Sequence, residues 1–445
     1  MPRYTVRSRV LLVCLAAGVL TATGCGDDDP TLSATPPAGS FNAQVANDWY
    51  ALALDLVKGT PGFSPPVAAR AFGYTGVALY EAVRPGMPGF SSLAGQLNGL
   101  TSLPAINPGA AYHWPAVANA ASATILRRLF PTSSDALKAA IDALESRWNT
   151  DAVVAAGSEA ATRSAEYGRS VAEAVFVWSQ NDGGHEGYLR NFPTDYVPPT
   201  GDGLWVPTPP GFQRALQPYW GNNRTFALPA GDACEPEPHP AYAVEPASQF
   251  YRDALEVYDT TRTLTDEQRE IALFWSDDPG LTFTPPGHSI SILKQIIERD
   301  GRMLDVAAAA YAKIGIAVAD AFVSCWNAKF VYNLLRPVTY IRAQIDPAWE
   351  PILTTPPFPE YSSGHSVQSG AAAEVMTALF GAIAFTDRTH EPRLPARSFT
   401  SFFAAADEAA ISRLYGGIHY RPAIEIGIDQ GSCVGSIVND LRFRN

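Results

Sequence analysis

Wherever this chain is periodic, its apolar residues recur every three or four positions, and nowhere do they alternate convincingly as a strand face would. The segments AARAFGYTGVALYEAV (68–83), AVANAASATILRRLF (116–130), SSDALKAAIDALESRW (133–148) and SEAATRSAEYGRSVAEAVFVW (158–178) show the pattern in the first half. In the second half it returns near Ala247, at 264–275 and 288–300, in a long run from Met303 to Leu335, and at about 400–415 and 421–441. Between the halves, residues 191–223 are too rich in proline and glycine for a regular helix or a central strand. The aromatic residues Trp205, Phe212, Tyr219 and Trp220 mark that stretch as a loop packed on the body. No fixed-period repeat is present. The expected fold is therefore all-α: two packed helical bundles with long Pro/Gly-rich connecting loops. The expected division is an N-terminal bundle over 46–190, a proline-rich connection over 191–246 and a C-terminal bundle over 247–445.

The first 24 residues read differently. Arg3, Arg7 and Arg9 precede an apolar run from Val10 to Leu20 and then small residues, which is the pattern of a secretory signal. Ala22-Thr23-Gly24-Cys25 resembles a bacterial lipobox, with Ala22 where leucine is usual; plain cleavage near Gly24 is the alternative. Residues 25–45 would form a polar tether. The expected location is outside the cytoplasm, lipid-anchored at Cys25 or secreted, with that anchor as the sole membrane contact. No other apolar run is expected to span a bilayer. The formal net charge of −12 argues against nucleic acid or an anionic membrane as partner. In an exported protein two of Cys234, Cys325 and Cys433 can pair, but spacing does not choose the pair.

Against that acidic background, three C-terminal segments bring cations and histidines. In CWNAKFVYNLLRPV, Lys329 and Arg336 are seven residues apart, expected on one face of a helix that Pro337 ends. The residues between them are too apolar for full exposure, and buried cations need anions. In FPEYSSGHSVQSGAAAEV, Ser363-Gly364-His365 stands at an expected helix N-terminus, where free N–H groups and the helix dipole favour an anion. In ISRLYGGIHYRPAIEIGID, Arg413 lies near a helix end and His419 follows a Gly416-Gly417 turn. Taken singly, each segment reads as a solvated face, a capped helix entry or an interhelical turn. Together they supply three permanent cations, a hydroxyl, backbone donors and two histidines, which is a kit for a tetrahedral oxyanion such as phosphate or vanadate.

The order and spacing resemble the vanadium-dependent haloperoxidases and the type 2 phosphatidic acid phosphatase superfamily that contains them. Lys329, six residues, then Arg336-Pro337 match one element. Ser363-Gly364-His365 matches a second, with Ser362 in place of proline, and Ser412-Arg413, five residues, His419 match the third. The resemblance implies a chloroperoxidase-like fold with vanadate as cofactor, phosphate being able to occupy the same site. By the same resemblance His419 binds vanadium, while Lys329, Arg336, Arg413, Ser363 and Gly364 hold the vanadate oxygens. His365 acts as acid-base and Lys329 polarises bound peroxide, so that hydrogen peroxide oxidises bromide or chloride to a hypohalous agent. A small organic molecule is a further possible partner. Trp326 and Phe358 match aromatic residues on the halide side, although core packing is the commoner fate of such residues.

One departure concerns His419. The superfamily often places an aspartate four residues after that histidine, where this chain has Ala423; Glu425, Asp429 or a backbone carbonyl are the substitutes expected. His288 and His185 are expected to be structural or surface residues, and His113, His239 and His390 have no assigned role. Two rival readings remain. In one, the protein is a soluble acid phosphatase, with His419 as nucleophile and His365 protonating the leaving group. In the other, it is a surface lipoprotein that keeps the fold without catalysis.

Overall fold

The computed structural model describes residues 35–444. The secretory signal, the lipobox with Cys25 and the tether as far as residue 34 lie outside the described residues. The described residues form one body whose twelve α-helices run in chain order as follows: α1 Gln44–Gly59, α2 Pro65–Val83, α3 Trp114–Leu129, α4 Asp135–Ser179, α5 Gln249–Arg262, α6 Asp266–Phe274, α7 Thr284–Arg299, α8 Leu304–Tyr332, α9 Pro337–Gln344, α10 Gly364–Phe380, α11 Phe402–Tyr415 and α12 Arg421–Asn439. The all-α expectation holds. The two segments expected at 133–148 and 158–178 are one element, α4, turned at Gly157 where φ is 78°. A two-stranded antiparallel hairpin, β1 Phe385–Asp387 with β2 Arg397–Phe399, went unforeseen because three residues cannot establish an alternation.

Helix α8 is the axis of the fold. Its residues from Ala307 to Lys329 are buried almost without interruption. By length and a mean hydropathy of 1.6 it is apolar enough to cross a membrane, but Lys313 and Asp320 interrupt its apolar run, as expected of any run beyond the first, and 89% of that window is covered by protein. It packs on α2 from the N-terminal half and on α10 and α12 from the C-terminal half, so helices from both halves of the chain meet on it. The small residues explain how close the helices come. A Cβ on Gly76 would lie 2.7 Å from Ala312 Cα, and one on Gly431 of α12 would lie 2.2 Å from the Val367 carbonyl oxygen of α10.

The proline-rich connection is fastened to this axis by Asp320. Its fully buried carboxylate accepts backbone N–H bonds from Phe226 (2.6 Å), Ala227 (2.7 Å) and Leu228 (3.0 Å). Burial pushes its pKa up to about 6 against the pull of those three donors. Cys234 pairs with Cys433 of α12, and Cys325 is left as a buried free thiol. The connection is thus tied to both α8 and α12, and it forms one wall of the cavity described next.

Candidate active site

The end of α8 departs from expectation in a way that shapes the site. Lys329 and Arg336 do not share a helix face. Asn333 adopts a left-handed backbone with φ of 49° and stops α8 at Tyr332. Pro337 starts α9 instead of ending α8, standing in the first turn where a missing N–H costs nothing, and Arg336 is the N-cap. The turn is held by the connection: Trp205 N donates to the Asn333 carbonyl (2.7 Å) and Leu335 N to that of Gly203 (3.0 Å). The sequence signal was available, because asparagine is among the few residues that visit this backbone region readily.

The turn brings three cations together in the interior. Lys329 and Arg336 are 0% exposed and Arg413 is 1% exposed. The Lys329 ammonium donates to the carbonyl oxygens of Pro359 (3.1 Å), Glu360 (2.9 Å) and Ser362. All three of its donors are therefore spent on the loop before α10, and it acts on the pocket as a charge through space. Arg336 donates from Nε to Phe358 O (2.9 Å) and from Nη1 to Ile418 O (2.8 Å), leaving Nη2 buried without a protein partner. Arg413 donates from Nε to Ser412 Oγ (2.9 Å) and from Nη2 to Ala272 O (3.3 Å). Burial lowers Lys329 to about 8 and both arginines to about 10, so all three stay charged at neutral pH.

Sequence reasoning missed the partner of His419. It is Glu360, two residues before Ser362 and 0% exposed, whose Oε1 lies 2.8 Å from His419 Nδ1 and also accepts the Tyr420 N–H at 2.8 Å. Burial raises Glu360 to about 7, with Arg336 and Lys329 pulling it down. Neither expected substitute on α12 takes part. Glu425 pairs with Arg421 at 3.3 Å on the surface, and Asp429 is exposed. Ala423 instead offers its carbonyl to Ser363 N at 3.0 Å. The Glu360 bond assigns the Nδ1 proton, leaving Nε2 as the lone-pair nitrogen, 3.2 Å from Arg336 Nη1. Burial and the surrounding cations push His419 well below its usual pKa, so the ring is neutral.

Ser363 is the N-cap of α10 and its Oγ accepts from Ser366 N at 3.4 Å. The ordinary cap reading of this motif is thus correct as far as it goes. Gly364 and His365 follow on the wall of a cavity of about 640 Å³, together with His419, Arg413, Trp326 and Phe358. Arg336 adjoins the cavity at His419, with Nη1 3.2 Å from Nε2, and Ser363 adjoins it at Gly364, while Lys329 is turned to the loop before α10. A Cβ on Gly364 would meet only Trp326 (3.7 Å) and Phe322 (3.9 Å) at ordinary contact distance. The protein's own packing therefore does not demand glycine there; the open space belongs to whatever occupies the cavity. His365 Nε2 is buried without a partner. Burial and the Arg413 charge hold this ring well below its usual pKa, which makes it a neutral base. Three cations, two neutral imidazoles, and open valences on Arg336 and His365 face one carboxylate, Glu360, with Asp277 and Asp278 acting on Arg413. The donor set fits a multiply charged tetrahedral oxyanion ligated by nitrogen.

His288 is neither a surface residue nor a free loop residue. It is 1% exposed and lies between two carboxylates, with Nδ1 2.9 Å from Asp277 and Nε2 2.6 Å from Asp387, under the Trp275 ring at 4.4 Å. His390 approaches Asp277 from another side at 3.3 Å. An imidazole flanked on both nitrogens by carboxylates is an imidazolium, with no lone pair for a metal. Burial opposes the charge, yet Asp277 and Asp387 raise the pKa to about 10. A raised pKa contributes stability below the unfolded value of 6.5 and loses it as pH climbs through 10. The unfolding free energy of the native protein should therefore fall by about 4 kcal/mol more than that of His288→Gln between these limits, measured by denaturant titration across pH. Equal slopes would mean that the imidazolium is not formed. The remaining histidines lie away from the cavity. His185 is partly exposed beside Glu186, His113 packs on Phe41, and His239 packs on Tyr332 and Tyr361.

Residues 309–444 match the family described as the VCPO second helical-bundle domain. The fold is similar to the crystal structure of the first bacterial vanadium-dependent iodoperoxidase, with a TM-score of 0.83 and 38% identity, covering 91% of this chain and 98% of that one. It is also similar to a holo-type bacterial vanadium-dependent chloroperoxidase, with a TM-score of 0.64 and 16% identity over 86% of this chain and 93% of that one. The apo-type structure of a bacterial vanadium-dependent chloroperoxidase gives the same score and identity. No curated protein matches the sequence.

Proposed function

The chain belongs to the vanadium-dependent haloperoxidase family, and from that premise we propose that it holds vanadate on His419 and uses hydrogen peroxide to oxidise a halide to a hypohalous-type halogenating agent. The observation that carries this reading is the buried cationic pocket around a neutral His419, whose Nδ1 is held by Glu360 and whose Nε2 is left to ligate. Vanadate, once bound, would supply a Lewis-acid centre that activates peroxide without a change of metal oxidation state. The remaining work falls to the chain's own groups. Arg336 and Arg413 would neutralise oxyanion charge by direct donation, Lys329 would do so through space, and Gly364 N–H and Ser363 would add neutral donors. His365 Nε2, neutral and unpartnered, would accept the proton of incoming peroxide and return it to the departing oxygen. Trp326 and Phe358, whose ring centroids are 5.0 Å apart, would form the dry side on which halide meets the oxidant.

Iodide is the first halide to test, because the 38%-identical relative is an iodoperoxidase; bromide and chloride follow. The Cys234–Cys433 pair supports an exported protein, anchored at Cys25 or released. Ala423 no longer favours a non-catalytic scaffold, since Glu360 does the orienting. The decisive assay loads the purified protein with vanadate and supplies peroxide with each halide, alongside a phosphate ester without vanadate. Halide oxidation that depends on vanadate, and that inorganic phosphate suppresses by competition, is expected. Ester turnover with no halide oxidation would establish the phosphatase reading in its place.

A further inference from the structure

The two site histidines are held by different parts of the fold. His419 is oriented by Glu360, whereas His365 hydrogen-bonds the backbone carbonyl of Trp275. Because His365 Nε2 has no partner, that bond falls on Nδ1, which donates. A ring that spends its Nδ1–H on a carbonyl keeps its lone pair on Nε2. The tautomer of His365 therefore depends on where the chain holds the Trp275 carbonyl. Trp275 is the C-cap of α6, and residues 276–280 of the loop it opens line the cavity. The loop has a backbone that its own residues disfavour. Asp277 has φ of 51°, and the buried Thr284 that begins α7 has φ of 64°, a region strongly disfavoured for a β-branched residue.

His288 of α7 is placed to hold that loop. Nδ1 meets Asp277 at 2.9 Å and Nε2 meets Asp387 of β1 at 2.6 Å, while the ring lies 4.4 Å from the Trp275 ring with planes 21° apart. An imidazolium on an indole face adds cation–π attraction to the two ion pairs. His390 closes the cluster, its Nε2 3.3 Å from Asp277 Oδ1 and its ring edge-on to His288 at 4.8 Å. Asp387 is fixed in turn by Thr389, through N at 2.9 Å and Oγ1 at 2.6 Å. One ring thus grips both the strained residue of the loop and the residue whose carbonyl meets His365.

We propose that His288 is a positioning residue for the acid-base group: held between Asp277 and Asp387, it fixes the loop between α6 and α7 so that the Trp275 carbonyl keeps the His365 proton on Nδ1 and leaves Nε2 open to the cavity. The inference rests on the haloperoxidase reading above and goes beyond it by naming what sets the tautomer of its base. His288 acts through Trp275 and Asp277, not by touching a reactant. In a catalytic triad a carboxylate orients the imidazole directly. Here a carbonyl orients it, and an ion-paired loop orients the carbonyl. His288→Gln would leave two buried carboxylates sharing one neutral side chain and would loosen the loop, without touching the Glu360–His419 pair.

The test reads the tautomer directly and needs no turnover. Nitrogen NMR of the vanadate-free protein, with labelled histidine and His365 assigned by its loss in His365→Ala, should show Nδ1 protonated and Nε2 bare. In His288→Gln the His365 signals should move toward the averaged shifts of mixed tautomers, while those of His419 stay as in the parent. An unchanged His365 pattern in the folded variant would overturn the proposal. With vanadate, peroxide and iodide, kcat/KM for peroxide should fall by about tenfold or more, and the vanadate dissociation constant should stay within about threefold of the parent. Equal losses in both would show a general support of the fold and would overturn the positioning role. Should His288→Gln not fold, Asp387→Asn keeps an acceptor beside Nε2 and removes one charge. It should shift the His365 signals in the same direction by less, and an unchanged pattern there also counts against the proposal. A tautomer that follows His288, in a parent protein that oxidises no halide, would sustain the hold on His365 and sink the haloperoxidase reading instead.

Discussion

Replacing His419 by alanine is expected to abolish vanadate-dependent halide oxidation and to lower vanadate affinity by more than the roughly 10- to 100-fold that loss of an outer-sphere partner costs. The expectation follows from what this side chain alone supplies. The cations around it attract an oxyanion without directing it, whereas Nε2 is a single lone pair at a fixed position, fixed because Nδ1–H is committed to Glu360 at 2.8 Å. The variant should still fold. Glu360 keeps the Tyr420 N–H and Arg336 keeps the Ile418 and Phe358 carbonyls, so a loss of about 1–3 kcal/mol is expected from the bonds removed. Equilibrium dialysis with vanadium analysis separates the two effects. A folded His419→Ala protein that binds vanadate as tightly as the parent would show that the ligand is another residue.

The second large effect belongs to Glu360. Glu360→Gln keeps an oxygen able to accept from Tyr420 N and His419 Nδ1, but removes the only carboxylate among the described residues in direct hydrogen bond with either site histidine. Vanadate affinity should fall roughly 10- to 100-fold, since outer partners orient a ligating imidazole and raise its basicity. Glu360→Ala should lose more and unfold more readily, because it leaves the Tyr420 N–H unpaired and the Lys329 and Arg336 charges without their buried counter-charge. The comparison is direct: vanadate dissociation constants and unfolding midpoints for both variants. Unchanged affinity in Glu360→Gln would mean that the backbone holds His419 in place unaided.

These two residues also show where sequence reading succeeds and where it stops. His419 was legible because a histidine after Gly416-Gly417, separated from Ser412-Arg413 by five residues, belongs to a local pattern, and local patterns survive as linear spacing. The entry to α10 was legible for the same reason, with Ser363 acting as the N-cap of the helix that Gly364 begins. Glu360 was not legible. It lies 59 residues before His419 and meets it only because the loop ahead of α10 folds back, held by Lys329 through three carbonyls. No periodicity or composition encodes that meeting. The expectation that Lys329 and Arg336 share a helix face failed for a related reason. Helical spacing was applied across Asn333, whose left-handed backbone ends one helix so that Pro337 can begin the next.

The sequence by itself determined the helical class and the identities of the cations and histidines, because apolar periodicity and short motifs are properties of neighbours along the chain. Tertiary structure alone decided which carboxylate orients His419, that Lys329 spends its donors on a loop, that His288 is a clamped imidazolium, and that Cys234 pairs with Cys433. It also decided that aromatic residues from the connection, α8 and the loop before α10 enclose one cavity. Each of these is a contact between segments distant in sequence. Their free energy depends on burial and on the mutual placement of charges and rings, quantities that come into existence only when the core has closed around α8.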